Sequence, residues 1–284
     1  MNHTSTAQGL HMNHIWWIYN FRYCAVFVFL QPINLKTLKV TIITVVYNAE
    51  KHLRDCIESV LAQNYPNIEY ILIDGNSTDA TFQIAQEYKD RIAVLISEPD
   101  RGMYDALNKG IAFATGEVIG ILNADDLLAD GDVIAKVAAL FQQRKVEAVY
   151  GDLDYVAPDD ITKVQRKWRA MEVKPRDLAL GWMPAHPTLY IKTSLFKQFG
   201  SYKLNYGSAA DYELMLRYLY KHRITTAHLP KLMVKMRNGG MSNQSLKHRY
   251  AAFLNDYSAL KHNHIPLPIF ALLLKKLRKV KQFF

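Results

Sequence analysis

Two hydrophobic periods alternate through the middle of the chain. Val40 to Val46 (VTIITVV), Ile68 to Ile73 and Val118 to Leu122 are short apolar runs rich in β-branched residues, the pattern of buried strands. Between them the period lengthens to that of a helix. Glu50 to Gln63 puts Leu53, Cys56, Ile57, Val60 and Leu61 on one face, and Thr78 to Tyr88 and Met103 to Ala114 also read as helices. Strand followed by helix, repeated, predicts an α/β fold with a mainly parallel sheet covered on both sides. In such sheets ligands gather at the carboxyl ends of the strands, where crossovers diverge.

Those strand ends carry the polar residues. Tyr47, Asn48 and Glu50 follow the first strand; Asp74, Gly75, Asn76, Ser77, Thr78 and Asp79 follow the second. Ser77, Thr78 and Asp79 suit the start of a helix, because their side chains accept from free N–H groups of the first turn. Asp74 ends an apolar strand directly and is not needed as that cap. It is a candidate to accept from a ribose hydroxyl or a base N–H. After the third strand come Asn123, Ala124, Asp125 and Asp126. Two adjacent carboxylates repel unless hydrogen bonds or a cation compensate, and hard oxygen ligands beside a diphosphate suit Mg²⁺ or Mn²⁺. An acidic pair also begins helices and turns, so alone it does not settle the matter.

Taken in order, these segments resemble the family 2 glycosyltransferases, from about Val40 to Arg217. The resemblance is carried by TIITVVYNAEKHLRDCIESVLAQNYPNIEYILIDGNSTDAT, by SEPDRGMYDALNKGIAFATGEVIGILNADD, and by AHPTLYIKTSLFKQFG with AADYELMLR. It implies a GT-A fold, a Rossmann-like mixed sheet that is mainly parallel. It also implies transfer of a sugar from a nucleotide-sugar donor to an acceptor hydroxyl with inversion at the anomeric carbon. By the same resemblance Tyr47, Asn48 and Asp74 would contact the nucleotide. Asp125 and Asp126 would serve ribose and metal, Asn123 standing where many relatives have an acid. Asp211 would be the base that removes the acceptor proton. Glu213 is its substitute, and a helix cap and a surface carboxylate are the alternative readings of these two. His186 falls where the family often has a histidine near donor or acceptor, although a core histidine is an equal reading. Trp182 stacks on a sugar or packs. Arg101 and Lys109 are candidate phosphate contacts in a cluster with Glu98, Asp100 and Asp105, which a loop and a capped helix explain almost as well.

Composition and charge add the ends of the chain. With 284 residues, half of them hydrophobic, the chain buries one sizeable core. Two cysteines, Cys24 and Cys56, make no disulfide framework and suit a reducing cytoplasm. The formal net charge of +9 is weighted toward Lys275, Lys276, Arg278, Lys279 and Lys281, so it does not describe a nucleic-acid surface. PLPIFALLLKKLRKVKQFF couples an apolar half to that basic cluster. This is the pattern of a helix lying on anionic lipid, or of a terminal helix packed on the enzyme with a solvated basic face. Ile15 to Ile33 is apolar and aromatic but is interrupted by Asn20, Arg22 and Pro32, which suits an interfacial anchor or an upstream extension better than a spanning helix.

The expected organisation is therefore an apolar extension over 1–37, a catalytic domain over 38–240 and a basic helical tail over 241–284. The expected location is the inner face of the cell membrane. The expected acceptor is a glycan or polyprenyl-linked glycan of a surface polysaccharide. A nucleotidyltransferase and a non-catalytic carbohydrate-binding relative are the alternatives. The first usually carries a Gly-rich loop where this chain has VVYNAEKHL, and the second would have lost the acids that are present here.

Overall fold

The structure is a computed structural model, and it describes residues 37–239 and 246–280. The predicted anchor at Ile15 to Ile33 lies outside the described residues. The first half follows the predicted alternation: β1 (Val40–Val46), α1 (Leu53–Leu61), β2 (Ile68–Asp74), α2 (Thr81–Gln86), β3 (Val94–Ser97), α3 (Met103–Phe113) and β4 (Val118–Ile121). The strands are mutually parallel in the order β3-β2-β1-β4. The chain runs outward from β1 to β3 and returns to β4 on the other side of β1. This is the strand-order reversal that opens a crevice at the strands' carboxyl ends.

The remaining strands are β5 (Leu127–Leu128), β6 (Ala148–Ala157), β7 (Asp160–Trp168), β8 (Tyr190–Lys192) and β9 (Thr226–Arg237). They extend the sheet through β8, antiparallel to β4, into a mixed half ordered β8-β6-β9-β5, with β7 antiparallel on β6. Close approach at the join depends on Gly120, because a Cβ there would stand 2.2 Å from the Tyr190 ring.

Alternate residues of each central strand enter different cores. Val40, Ile42 and Val46 of β1 face the side covered by α1, α2 and α4 (Val133–Arg144), and Ile43 and Val45 face the side of α3. Burial on both faces is why these strands read as continuous apolar runs. The second core also takes in α6 (Thr193–Phe199) and α7 (Ala210–Met215), which continues as a π-helical turn to Lys221. The guanidinium of Arg217 in that turn is buried, donating to the carbonyls of Gly200 at 2.6 Å and Ser201 at 2.8 Å and to Glu213 at 2.9 Å. The loop after α6 is thereby fastened to α7. The described part of the tail packs on this core. Ala259 and Leu260 of α8 (Leu246–His262), then Ile265, and Ala271 and Leu272 of α9 (Pro268–Val280) are all buried in the same core as α7.

One buried carboxylate ties the start of the sheet together. Glu69 on β2 accepts from Lys39 and Thr41 at 2.7 Å each, and from the Thr115 amide at 2.7 Å and its hydroxyl. Burial alone would push its carboxyl up, but Lys39, Thr115 and Thr41 outweigh that and hold it down at about 2. A carboxyl whose pKa is depressed on folding contributes stability above its unfolded value. That contribution disappears as pH falls from about 4.5 toward about 2. Glu69→Gln is therefore expected to cost about 2 kcal/mol near neutrality and to flatten the acid limb of the stability curve. Denaturant titrations at a series of pH values check this, and a variant whose acid limb parallels the parent's would contradict it.

Candidate active site

The loops after β1 and β2 are fastened to each other. Asn48 adopts a left-handed backbone (φ 47°), which turns the chain so that its side-chain oxygen accepts from the Thr78 amide at 2.9 Å. The Asn48 amide donates to the Ser77 hydroxyl at 2.9 Å, and the Glu50 carboxylate accepts from the Ala80 amide at 2.9 Å. Glu50's own amide donates to Asp79 at 3.3 Å. The helix that follows begins only at Thr81, and its cap residue, Ala80, has no capping side chain. Of the three residues expected there, Asp79 does accept from the Thr81 amide at the helix start, at 3.0 Å, while Ser77, Thr78 and the second Asp79 oxygen hold the two loops together. Asn48's carboxamide oxygen is likewise engaged within the protein.

Asp74 is completely buried. Its carboxylate accepts from the Ser77 amide at 3.1 Å and from the hydroxyls of Ser77 and Ser97 at 2.5 Å each. It orders the mouth from below, and the surface a ligand meets is formed by its neighbours. The Tyr47 ring is 62% exposed. A Cβ on Gly75 would fall 2.5 Å from the Asp100 carboxylate and 3.5 Å from the Tyr47 ring, so the glycine leaves a notch between them. Asp100 itself accepts from the Gly102 amide at 2.6 Å at the start of α3. The basic residues in this segment are paired: Lys109 with Glu98 at 2.7 Å and the Pro99 carbonyl at 2.8 Å, Arg101 with Asp105 at 2.9 Å. Arg101 nevertheless remains 78% exposed.

The acidic pair after β4 divides. Asp126 is wholly buried, accepting from the Asn123 side chain at 2.8 Å and the Arg237 amide at 3.3 Å. Burial first, then the charge of Asp125, pushes its carboxyl well above the usual range. Asp125 is half-buried. The two acids expected to share a metal therefore differ: Asn123 and Arg237 satisfy Asp126 from within, and only Asp125 is partly exposed. Among the described residues no group of three or more His, Cys, Asp or Glu side chains is gathered to hold a metal. A single carboxylate at a strand end still fits Mg²⁺ or Mn²⁺, which keep most of their ligands as water and phosphate oxygens. Cys56 donates to the Asn123 carbonyl at 3.3 Å, and burial pushes its thiol up, so it acts as packing below this loop.

A second pair divides in the same way on α7. Glu213 is 1% exposed and held by Arg217 at 2.9 Å and Lys203 at 3.2 Å, so it is a structural anion and no substitute base. Asp211 is half-buried, with its own helix amide partner at Tyr212 2.7 Å away. Around it stand Tyr104 of α3, Tyr202 and His186. Burial first, then the Asp211 charge, pushes the Tyr104 and Tyr202 phenols up. His186 Nε2 and the Tyr202 hydroxyl are 2.8 Å apart, and burial lowers the imidazole below its ordinary value, keeping it neutral. Tyr202 is fixed further by a two-way bond to Asn108, at 2.8 and 2.9 Å. Trp182 is buried edge-on to Tyr150, 5.8 Å between ring centres, which makes it a packing residue.

Sequence reasoning missed Arg237 and Tyr104. Tyr104 stands inside the quoted YDALN segment, at the second position of α3, where its period is that of a core residue. Arg237 ends a strand whose local pattern has no chemical signature.

Comparison with known proteins agrees with this fold. The chain matches the family described as "Glycosyl transferase family 2" over residues 41–204. It is 28% identical over 208 residues to a PGL/p-HBAD biosynthesis glycosyltransferase of Mycobacterium bovis, covering 72% of this chain and 78% of that protein. Among solved structures it is similar to residues 1–349 of S. aureus TarS in complex with UDP-GlcNAc, with TM-score 0.63 and 18% identity, covering 84% of this chain and 70% of that one. It spans 41% of a longer TarS chain. A mannosyltransferase from Pyrobaculum calidifontis in complex with GDP-Man and Mn2+ superposes with TM-score 0.60 at 18% identity, covering 85% of this chain and 70% of that one. With more than half of its length inside the family match, and with the mixed, helix-flanked sheet of the GT-A fold, the chain belongs to the family 2 glycosyltransferases and is a glycosyltransferase.

Proposed function

We propose that the protein transfers a sugar from a nucleotide-sugar donor to an acceptor hydroxyl with inversion, using Asp211 as the base and Asp125 as the one protein carboxylate facing the donor diphosphate. The observation that carries this reading is the division of labour in each acidic pair. Asp126 and Glu213 are buried and neutralised or bonded from within, while Asp125 and Asp211 are only partly buried. Tyr47 and the notch at Gly75 would receive the nucleotide base, with Asp74 ordering the loop beneath it. Mg²⁺ or Mn²⁺ held at Asp125 would supply Lewis-acid neutralisation of the leaving diphosphate. Asp211 takes the proton as the acceptor oxygen attacks, and the paired tyrosines and neutral His186 keep that carboxylate in place. The TarS and mannosyltransferase complexes, with UDP-GlcNAc and with GDP-Man and Mn2+, support the donor class and the metal. The test is nucleotide release from a panel of UDP-, GDP- and dTDP-sugars with Mn²⁺ or Mg²⁺, with the anomeric configuration of the product read by NMR. Retention of configuration would remove the single-base mechanism.

The acceptor we propose is a lipid-linked glycan met at the cytoplasmic face of a membrane. No described helix is long and apolar enough to cross one. α9 instead exposes Ile269, Phe270, Leu273 and Leu277, each 50–63% accessible, beside the exposed Lys276 and Lys279. Part of the basic cluster is engaged internally: Lys275 pairs with Asp256 at 2.9 Å, and Arg278 donates to the Leu180 carbonyl at 3.2 Å. Deleting the helix would also strip Ala271 and Leu272 from the core, so substitution is the cleaner test. Replacing Phe270, Leu273 and Leu277 together by Glu is expected to lower sedimentation with anionic vesicles at least about tenfold without lowering the melting temperature, because each side chain contributes about 1.5 kcal/mol or more on burial. Unchanged vesicle binding would assign the anchor elsewhere.

A further inference from the structure

Arg237 closes β9, far along the chain from the loop after β4, and yet most of its polar atoms converge on that loop and its surroundings. Its Nη1 donates to the Asp125 carbonyl at 2.8 Å, and its backbone amide donates to the Asp126 carboxylate at 3.3 Å. On the outer side Nη2 meets the Asp55 carboxylate of α1 at 2.5 Å, and Nε donates to the Pro158 carbonyl in the β6–β7 turn at 3.2 Å. The side chain is 6% exposed, whereas its partner Asp55 is 52% exposed. One planar group thus joins four elements: β9, the β4–β5 loop, α1 and the β6–β7 turn. A planar guanidinium can do this because its donors diverge at fixed angles, which a single ammonium cannot reproduce.

We infer that Arg237 is a positioning residue that presents the Asp125 carboxylate to the metal-bound diphosphate of the donor. The peptide unit of Asp125 is gripped at its carbonyl, and the residue after it is gripped at its side chain, so the Asp125 carboxylate is the part of this loop left facing outward. The same arginine places a positive charge beside Asp126, which removes the electrostatic need for a metal to hold the loop together. The loop is therefore built before any ligand arrives. The crowding of charge here is independently visible at His52 on the approach to α1. Burial first, then Arg237 and Lys51, lower its imidazole, while Asp55 and Asp125 oppose them. Residues that orient a metal ligand from behind typically change metal affinity by about 10- to 100-fold when removed.

This rests on the proposed use of Asp125, and the experiment separates the two. Calorimetric binding of UDP and of GDP to the full chain is measured with Mn²⁺ and with EDTA, beside melting temperatures, for the parent, Arg237→Met, Arg237→Lys, Asp55→Asn and Asp125→Ala. The expected result is that Arg237→Met loses about 10- to 100-fold of the Mn²⁺-dependent gain in nucleotide affinity and keeps the affinity measured in EDTA. Arg237→Lys recovers part of the loss, and Asp55→Asn shows a smaller loss of the same sign with an unchanged melting temperature. If Arg237→Met does not fold, the Asp55→Asn comparison decides alone. Equal weakening with and without Mn²⁺, or a full Mn²⁺-dependent gain in Arg237→Met or, failing that, in Asp55→Asn while Asp125→Ala has lost it, would overturn the inference. A parent protein with no Mn²⁺-dependent gain for either nucleotide would instead overturn the assignment of Asp125.

Discussion

Asp211→Asn is expected to lower turnover by roughly 10²- to 10⁴-fold while changing donor affinity less than about twofold. The substitution keeps the shape and the acceptor oxygen that the Tyr212 amide uses at 2.7 Å. It removes only the capacity to take a proton. The neighbouring acid cannot step in, because Glu213 is bonded to Arg217 and Lys203 and is 1% exposed. Nor can His186 assume the charge easily, since burial lowers its imidazole below the usual value. Steady-state kinetics with donor titrations check this, and an Asp211→Asn protein with near-parental turnover would remove the base from α7 altogether. Glu213→Gln should behave differently. It leaves Arg217 without its anion, so the loss should be seen first in melting temperature.

The second large effect is expected at Asp125, and its comparison with Asp126 is as informative as its size. Asp125→Ala should lower kcat/KM by roughly 10²- to 10³-fold and abolish stimulation by Mn²⁺ or Mg²⁺, with no change in melting temperature, because the side chain is half-open to solvent. Asp126→Asn should retain most activity. The amide keeps the shape and one acceptor oxygen at this buried position but turns an NH2 toward the other of the two donors, the Asn123 side chain and the Arg237 N–H, so its cost falls on stability and not on metal stimulation. Asp126→Ala, by contrast, leaves the Asn123 amide and the Arg237 backbone N–H without their acceptor and is expected to cost about 1–3 kcal/mol of stability. Equal losses of metal stimulation in Asp125→Ala and Asp126→Asn would return the metal to both acids.

Three central strands were legible because burial on both faces writes a local signature. Val40 to Val46 is found as predicted, and Ile68 and Val118 begin the next two. The mixed half was not legible. β8 has three residues and β5 two, while β7 alternates polar residues on an exposed face, so their membership in the sheet is decided by partners and not by period. The site divided along the same line. Motif order pointed to Asp125 and Asp211, but local sequence cannot tell which member of an acidic pair turns outward. That choice is made by side chains far along the chain: Arg237, 112 residues after Asp125, and Lys203 and Arg217 around Glu213. The same limit explains Asn48 and Asp74. They are at the mouth, as expected, but their oxygens are claimed by Thr78, Ser77 and Ser97.

The reciprocal bonding between the loops after β1 and β2 bears on how such an enzyme can be recombined. Thr78 and Ala80 donate to side chains of Asn48 and Glu50, while the amides of Asn48 and Glu50 donate to Ser77 and Asp79. Neither segment is self-sufficient, so they form one exchangeable cassette separated in the chain by a helix and a strand. A chimera that imports the stretch from Tyr47 to Lys51 from another transferase without the stretch from Asn76 to Thr81 would strand donors on both sides of the graft. Donor preference should therefore move between relatives only when the two stretches are transplanted together, and a single-loop swap should yield a weaker enzyme with the specificity of neither parent.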